Sequence, residues 1–246
     1  MFEASYSIPY AGIGPDGRMK LPVLLDILQD MADRDTHRMA MTVSDLLPKG
    51  VSWVMRRYRV TVERYPEYGS TLTVKTWHEP RRNLHSLRAF SVTDEKGPVA
   101  SAETSWILID LERGRPLRLD RHTTPRYVEE SRPVTVEFPD LPSTEDWEDE
   151  RPFSVRRWDL DRNNHVNNAV YFSWAAEAVP EETAKDCSLV RVDAEYLRPT
   201  EGRGNILVRT ARHESSEAEM SYIHSIVGPE GDEKARFLTL WKKTPF

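Results

Sequence analysis

The chain has 246 residues, with 39% hydrophobic and 30% charged positions, a length that suits one large domain or two small ones at roughly 150 residues each. Seven tryptophans, nine tyrosines and seven phenylalanines exclude a disordered, collagen-like or low-complexity chain. A net charge of −6 argues against an unassisted nucleic-acid binder, which presents a net basic surface.

The single cysteine, Cys187, cannot form an intramolecular disulfide, which fits a reducing cytoplasm. The N-terminal stretch lacks the basic and apolar regions of a secretory signal. No run approaches the 18 or so apolar residues that cross a bilayer. The expectation is a soluble, cytoplasmic protein with no nucleic-acid or membrane partner.

In chain order, the first periodic segment is residues 21 to 39. Leu21, Leu24, Leu25, Leu28, Met31, Ala32 and Met39 recur at helical spacing. Pro22 suits the first turn, where its missing N–H costs nothing. Asp35 falls on the apolar side of this helix, which the pattern explains only as a helix end becoming exposed. The period then changes to two, predicting strands in VSWVMRRYRVTVERY, STLTVKTW, SLRAFSVT and VASAETSWILIDL, separated by PEYG, HEPRRN and DEKG turns. Residues 125–150 are rich in proline and acid and read as a linker or extended crossover, with one strand-like patch at Val134 to Phe138. After it the first order repeats. A helix candidate over 166–179 precedes strands near LVRVDAEYL, NILVRTARHE, EMSYIHSIVG and KARFLTLWKK. Matching pieces such as TVKT and LVRT, and TSWILID and LTLWKK, lie a little over 130 residues apart, which indicates an internal duplication.

Each half is thus one helix followed by four or more antiparallel strands. The second helix is apolar almost all round, so it must be buried on most sides. A curved antiparallel sheet wrapped around a central helix satisfies it. The expected class is α+β, with two such repeats joined as one pseudo-dimeric unit: residues 1–124, the linker 125–150, and residues 151–246.

Chemistry concentrates in WDLDRNNHVNNAVYFSWAAE, residues 158–177. Seven of the ten residues from Asp159 to Asn168 are Asp, Asn or His. Capping a helix start needs one or two such residues, so the cluster exceeds it. A helix N-terminus suits a developing oxyanion, and His165 can transfer a proton near neutral pH. Asp161, Asn163 and His165 around a carbonyl suggest acyl transfer or hydrolysis. The remaining histidines have no metal-ligand spacing, and no metal is expected. The first half carries DGRMKLPV, Asp16 to Val23, where the second has DRNNHVNN. One catalytic site is therefore expected, in the second half, with the first shaping an acyl pocket. Met31, Met39, Met41 and Trp53 could line that pocket or simply fill core. Arg56, Arg57, Arg59, Arg81, Arg82 and Arg88, or Arg151, Arg156 and Arg157, could receive an acidic partner.

The string D-x-N-x-H-V-N-N-x-x-Y, here Asp161, Asn163, His165, Val166, Asn167, Asn168 and Tyr171, resembles the active-site signature of acyl–acyl carrier protein (ACP) thioesterases. The first helix with Leu28 to Asp30, the segment WVMRRYRVTVERYPEYGSTLTVKTW and the duplicated layout are similar to the same family. The resemblance implies a tandem hot dog fold and hydrolysis of fatty acyl-ACP, ending chain elongation in fatty-acid synthesis, without metal or organic cofactor. The implied partner is acyl carrier protein with a phosphopantetheine-linked acyl chain, and the implied assembly a monomer or homodimer. By position, Asp161 would orient or activate, Asn163 would bind the thioester carbonyl or place water, and His165 would transfer the proton. One departure matters. Plant members carry a Glu-Cys pair after a strand resembling AEYLRP; here the matching positions are Pro199 and Thr200, or Thr200 and Glu201. Neither register supplies a cysteine, which leaves water attack assisted by His165, with Glu201 or Thr200 as helper. An acyl-coenzyme A thioesterase, a hydratase on the same architecture, and a non-catalytic acyl-binding module are the alternatives.

Overall fold

The computed structural model describes residues 1–161 and 164–243. The chain divides into two compact units, Met1–Phe138 and Pro139–Phe246. In the first unit the elements run β1 (Phe2–Ser7), α1 (Leu21–His37), α2 (Val43–Leu46), β2 (Val51–Val62), β3 (Thr71–Arg81), β4 (His85–Asp94), β5 (Gly97–Asp110), β6 (Arg115–Leu117), α3 (Leu119–His122) and α4 (Pro125–Glu129). In the second they run β7 (Asp149–Ser154), α5 (Asn168–Glu177), α6 (Glu181–Asp186), β8 (Cys187–Tyr196), β9 (Asn205–Ser215), β10 (Glu219–Val227) and β11 (Glu233–Lys243).

The strand order is β1-β3-β4-β5-β2 in the first unit, with β6 on β5, and β7-β9-β10-β11-β8 in the second. The two orders are the same, element for element, and every pairing within them is antiparallel. The duplication reaches side chains. Trp106 Nε1 donates to Thr104 Oγ1 at 2.8 Å, and Trp241 Nε1 donates to Thr239 Oγ1 at 3.0 Å. Both repeats also open on a short strand that periodicity does not reveal, β1 and β7. Each pairs along one side only, to β3 or β9, so neither needs the apolar alternation of a central strand.

In the first unit α1 lies against β1 and β3 and buries Leu21, Leu24, Leu25, Ile27, Leu28 and Met31. Asp35 is on that buried face too, 2% exposed rather than at a frayed end. It is held by charge: Arg88 Nη1 reaches its Oδ2 at 2.7 Å and Arg38 Nη1 its Oδ1 at 3.3 Å. His78 Nδ1 is 3.7 Å from the same carboxylate, while His78 Nε2 donates to the Tyr127 carbonyl at 2.7 Å. Met39 and Met41 pack with Leu46, Val51, Leu108, Leu119 and Tyr127, and Trp53 Nε1 donates to the Met41 carbonyl.

Strand β3 runs four residues past Trp77, through Pro80, to a turn in which Arg82 and Asn83 take positive φ. The proline is tolerated because β1 pairs only with Thr71 to Thr76, which leaves the end of β3 as an edge that needs no donor. The segment after α4 covers that edge. Its backbone is tied by the bond from Arg132 N to the His78 carbonyl, and by side chains: Trp77 Nε1 to the Pro133 carbonyl, Arg81 to those of Val134 and Val136, and Val134 N to Glu79 Oε2. Residues 131–144 therefore carry no regular element, and the patch at Val134 to Phe138 is not a strand. Val134 and Val136 are buried with Leu87 and Ala89. The division between units consequently falls at Phe138, inside the segment expected to be linker, because residues 125–138 are packed onto the first unit.

In the second unit α5 is buried as its composition requires. Phe172 and Tyr196 meet Phe237 edge-on at 5.2 and 6.0 Å between ring centroids. Tyr171 contacts both Trp174 and Tyr196.

Candidate active site

The candidate residues lie on a tight hairpin that leads into α5. A single helical turn, Arg157–Asp159, ends on a buried Asp159 carboxylate that accepts from Arg156 N at 2.7 Å and sits 2.9 Å from its guanidinium. The chain then folds back. Asn167 N donates to the Asp159 carbonyl (2.8 Å), Asp161 N to the His165 carbonyl (2.7 Å), and Asn164 N to the Asp161 carbonyl (3.1 Å). Asn164 takes φ 60° at the tip, a left-handed conformation that asparagine tolerates. Asp161 also accepts the His165 N–H on its Oδ1 at 3.2 Å, so its carboxylate fixes the backbone that carries the imidazole. Asn163 lies outside the described residues.

On its other side the hairpin pairs with the segment after β8. Val166 N donates to the Thr200 carbonyl (3.0 Å), and His165 and Glu201 form an antiparallel bridge. The pairing sets His165 Nε2 3.6 Å from Glu201 Oε1, with the imidazole 39% exposed and the carboxylate 72%. Thr200 is buried; its Oγ1 has no partner among the described residues, and its N–H donates to the Tyr171 hydroxyl at 3.2 Å. Burial raises that hydroxyl above its ordinary pKa, so it stays a neutral phenol. Tyr171 stands in the signature string, but its task of holding the Glu201 segment shows only in three dimensions. Asn167 Oδ1 accepts from Ala169 N and caps α5.

Cys187 is buried, and that burial pushes its thiol up, away from the thiolate that nucleophilic attack requires. Among the described residues no three His, Cys, Asp or Glu side chains gather where they could share a metal ion.

The first unit repeats the hairpin almost bond for bond. Lys20 N donates to the Gly12 carbonyl, Gly14 N to that of Arg18, Gly17 N to that of Gly14, and Met19 N to that of Pro66, while Arg18 bridges Glu67. Arg18 thus stands where His165 stands, Gly14 where Asp161 stands, and Glu67 where Glu201 stands. Linear matching, which sets Lys20 against His165, is off by two residues. The Arg18 N–H is held by Asp16 Oδ1 at 3.1 Å, from two residues back instead of four. The scaffold is shared and the chemistry is not.

The arginines sort by burial. Arg88 is inside the first unit, 3% exposed, and Arg81 is tied to Glu79. Arg151 pairs with Asp149. Arg157 and Arg203 are exposed and make no ion pair among the described residues.

Comparison with known proteins decides the family. Residues 1–127 match the family model of the acyl-ACP thioesterase N-terminal domain, and residues 143–243 that of the C-terminal domain. The chain belongs to the acyl-ACP thioesterase family. An acyl-[acyl-carrier-protein] hydrolase of Cuphea viscosissima chloroplasts is 26% identical over 98% of this chain. The dodecanoyl-[acyl-carrier-protein] hydrolase of Umbellularia californica chloroplasts is likewise 26% identical over 98%. This chain spans 63% and 68% of those two relatives' lengths. Among solved structures, the 12:0-ACP thioesterase of U. californica superposes with a TM-score of 0.87 at 22% identity, covering 99% of this chain and 97% of that one. An acyl-ACP thioesterase of Bacteroides thetaiotaomicron gives 0.83 at 18% identity, covering 98% and 97%. As in other acyl-ACP thioesterases, the architecture is the hot dog fold. No helix among the described residues is long and apolar enough to cross a membrane.

Proposed function

We propose that this chain hydrolyses the thioester of fatty acyl–acyl carrier protein, releasing free fatty acid and ending chain elongation. The observation that carries the reading is the half-exposed imidazole of His165, set on a hairpin at the head of α5 with a carboxylate 3.6 Å away, in a chain whose two halves match the family. His165 takes a proton from water as its oxygen attacks the thioester carbonyl. The tetrahedral intermediate collapses with cleavage of the C–S bond, and the imidazolium returns the proton to the departing thiolate. Backbone N–H groups at a helix start stabilise developing negative charge, and Asn163 serves as the amide that binds the carbonyl or places the water.

In this scheme Asp161 is a positioning residue, since its carboxylate holds the His165 N–H. Glu201 is the better supported helper: its carboxylate faces the ring, whereas the Thr200 side chain is buried. The reaction is placed in the cytoplasm, which the single, unpaired Cys187 supports; cell fractionation tests that location.

The deciding experiment is hydrolysis of an acyl-chain panel on acyl carrier protein and on coenzyme A, by wild type and His165→Ala. Preference for carrier-linked thioesters, with kcat lowered about 100-fold or more in the variant, supports the reading. Equal or better use of coenzyme A esters makes the chain an acyl-coenzyme A thioesterase. Full activity of folded His165→Ala refutes the mechanism. Glu201→Gln and Thr200→Val separate the helpers; a kcat loss confined to Glu201→Gln is expected.

A further inference from the structure

Trp158 is 92% exposed, the most exposed of the large hydrophobic side chains among the described residues. It occupies the middle of the helical turn directly before the catalytic hairpin, between Arg157 and the buried Asp159. That turn is tied on both sides: Asp159 is held through Arg156 on one, and its carbonyl accepts from Asn167 on the other. The indole is therefore presented outward by a well-held backbone, and tryptophan is among the side chains enriched at the hot spots of contact surfaces.

Its neighbours are cationic. The pairing of β7 with β9 sets Ser154 opposite Asn205 and continues through the bond from Val155 N to the Gly204 carbonyl at 2.8 Å. The next residues along this register are Arg156 and Arg203. Arg156 is committed to Asp159. Arg157 and Arg203 are exposed, and neither has a counter-ion among the described residues. Arg203 is two residues from Glu201, and Gly202 N donates to the Asn164 carbonyl at the hairpin tip. The patch is thus continuous with the rim of the site.

We infer that Trp158, Arg157 and Arg203 form the docking surface for an acidic carrier protein that delivers the thioester on its flexible arm; this rests on the function proposed above. Charge selects the occupant. The chain has a net charge of −6 and repels an acidic protein at long range, so productive encounter needs a local region of opposite sign. Two guanidinium groups with no counter-ion among the described residues supply the steering, and the indole that follows Arg157 supplies apolar contact that aromatic and arginine side chains characteristically give at interface centres. The surface lies beside the hairpin, so a carrier seated on it holds its arm next to His165.

The test uses the full chain with Trp158→Ala, Arg157→Glu and Arg203→Glu, and Arg113→Glu, on the exposed turn between β5 and β6, as a charge-reversal control. Two measurements are made: equilibrium binding of the carrier without its arm, and kcat/KM for one acyl group on the carrier and on free pantetheine. We expect each patch variant to weaken carrier binding about tenfold or more. The ratio of carrier-linked to pantetheine-linked kcat/KM falls by the same factor, through KM, and the control moves neither. Binding by wild type weakens as salt rises, and less so in the arginine variants. Unchanged binding and an unchanged ratio overturn the proposal. Patch variants that instead dissociate a dimer, with carrier kinetics intact, also overturn it and make the surface a self-association face. If wild type hydrolyses nothing yet binds the carrier through this patch, the docking surface stands and the hydrolytic reading falls.

Discussion

Replacing Asp35 by asparagine removes the one carboxylate that faces Arg88 in the interior of the first unit while keeping its shape. The Arg88 side chain is 4% exposed and that of Asp35 3%, with 2.7 Å between Nη1 and Oδ2. Arg88 Nη1 has a second acceptor in Thr76 Oγ1 at 3.0 Å, but Nη2 is buried without a partner among the described residues. The guanidinium cannot lose its charge and cannot reach water. Breaking such a pair from one side costs about 3–5 kcal/mol. Arg38, which also loses its contact with Asp35, is 35% exposed and is rehydrated, so it adds little. A cooperative unit of roughly 150 residues melts about 2–4 °C lower per kcal/mol lost, which puts the expected drop on the order of 10 °C, read by calorimetry or circular dichroism at neutral pH. The double change Asp35→Leu with Arg88→Met is expected to recover most of it, because apolar side chains of similar volume replace buried ion pairs well. An Asp35→Asn protein that melts within 2 °C of wild type would show that Arg88 is not confined as described. The pair also has a pH signature. Burial works to raise the Asp35 carboxyl, but His78 and Arg88 outweigh it and hold the group below its ordinary value. Its contribution is therefore complete at neutral pH and is lost only as pH falls below about 4, through the depressed folded-state value.

His224 carries a second acid response, in the second unit and beginning at higher pH: buried between Thr210 and Thr239, it is pushed down to about 3 by desolvation. The unfolded chain binds its proton near pH 6.5, so stability should decline as pH falls from 6.5 towards 3, and His224→Gln should flatten that decline in melts at pH 7, 5.5 and 4.5. Tyr171→Phe leaves the buried Thr200 N–H without its acceptor, costing about 1–3 kcal/mol and lowering kcat by loosening the Glu201 segment; equal kcat in both proteins would remove Tyr171 from the site's support. Asp161→Ala should lower kcat more than it lowers the melting temperature, since one hydrogen bond contributes about 1 kcal/mol, and Asp161→Asn, which keeps an acceptor for the His165 N–H, should restore part of kcat. Thr42→Ala removes the side-chain half of the capping box, the Oγ1 that accepts from Asp45 N, and should cost about 1 kcal/mol without changing kcat.

The long strands and both main helices are legible in sequence because burial imposes its period on them. The signature string places the hairpin for the same local reason, since Asp, Asn and His crowd where a helix begins. Elements bound through partners distant in the chain escape that reading. β1 and β7 pair along one side and need no alternation. Residues 131–138 are fastened through Trp77, Glu79 and Arg81, whose roles no local pattern displays. Asp35 reads as a flaw in an apolar face until Arg88, 53 positions away, is seen beside it. The pairing of Glu201 with His165 is likewise a tertiary fact, and sequence left it open between Glu201 and Thr200.

The twin hairpins have a consequence for how this site could be rebuilt. Their shape is enforced by main-chain bonds and by a tip residue that accepts positive φ, Gly17 or Asn164, so the other side chains ride on a frame that is already closed. In the first unit the N–H of Arg18 is satisfied from position 16; in the second the N–H of His165 is satisfied from position 161. Moving the acceptor from two residues back to four leaves the hairpin closed by the same main-chain bonds in both units. A designer who exchanged Gly14, Asp16 and Arg18 for aspartate, asparagine and histidine would be moving the acceptor in the same way on a loop that already has the required curvature.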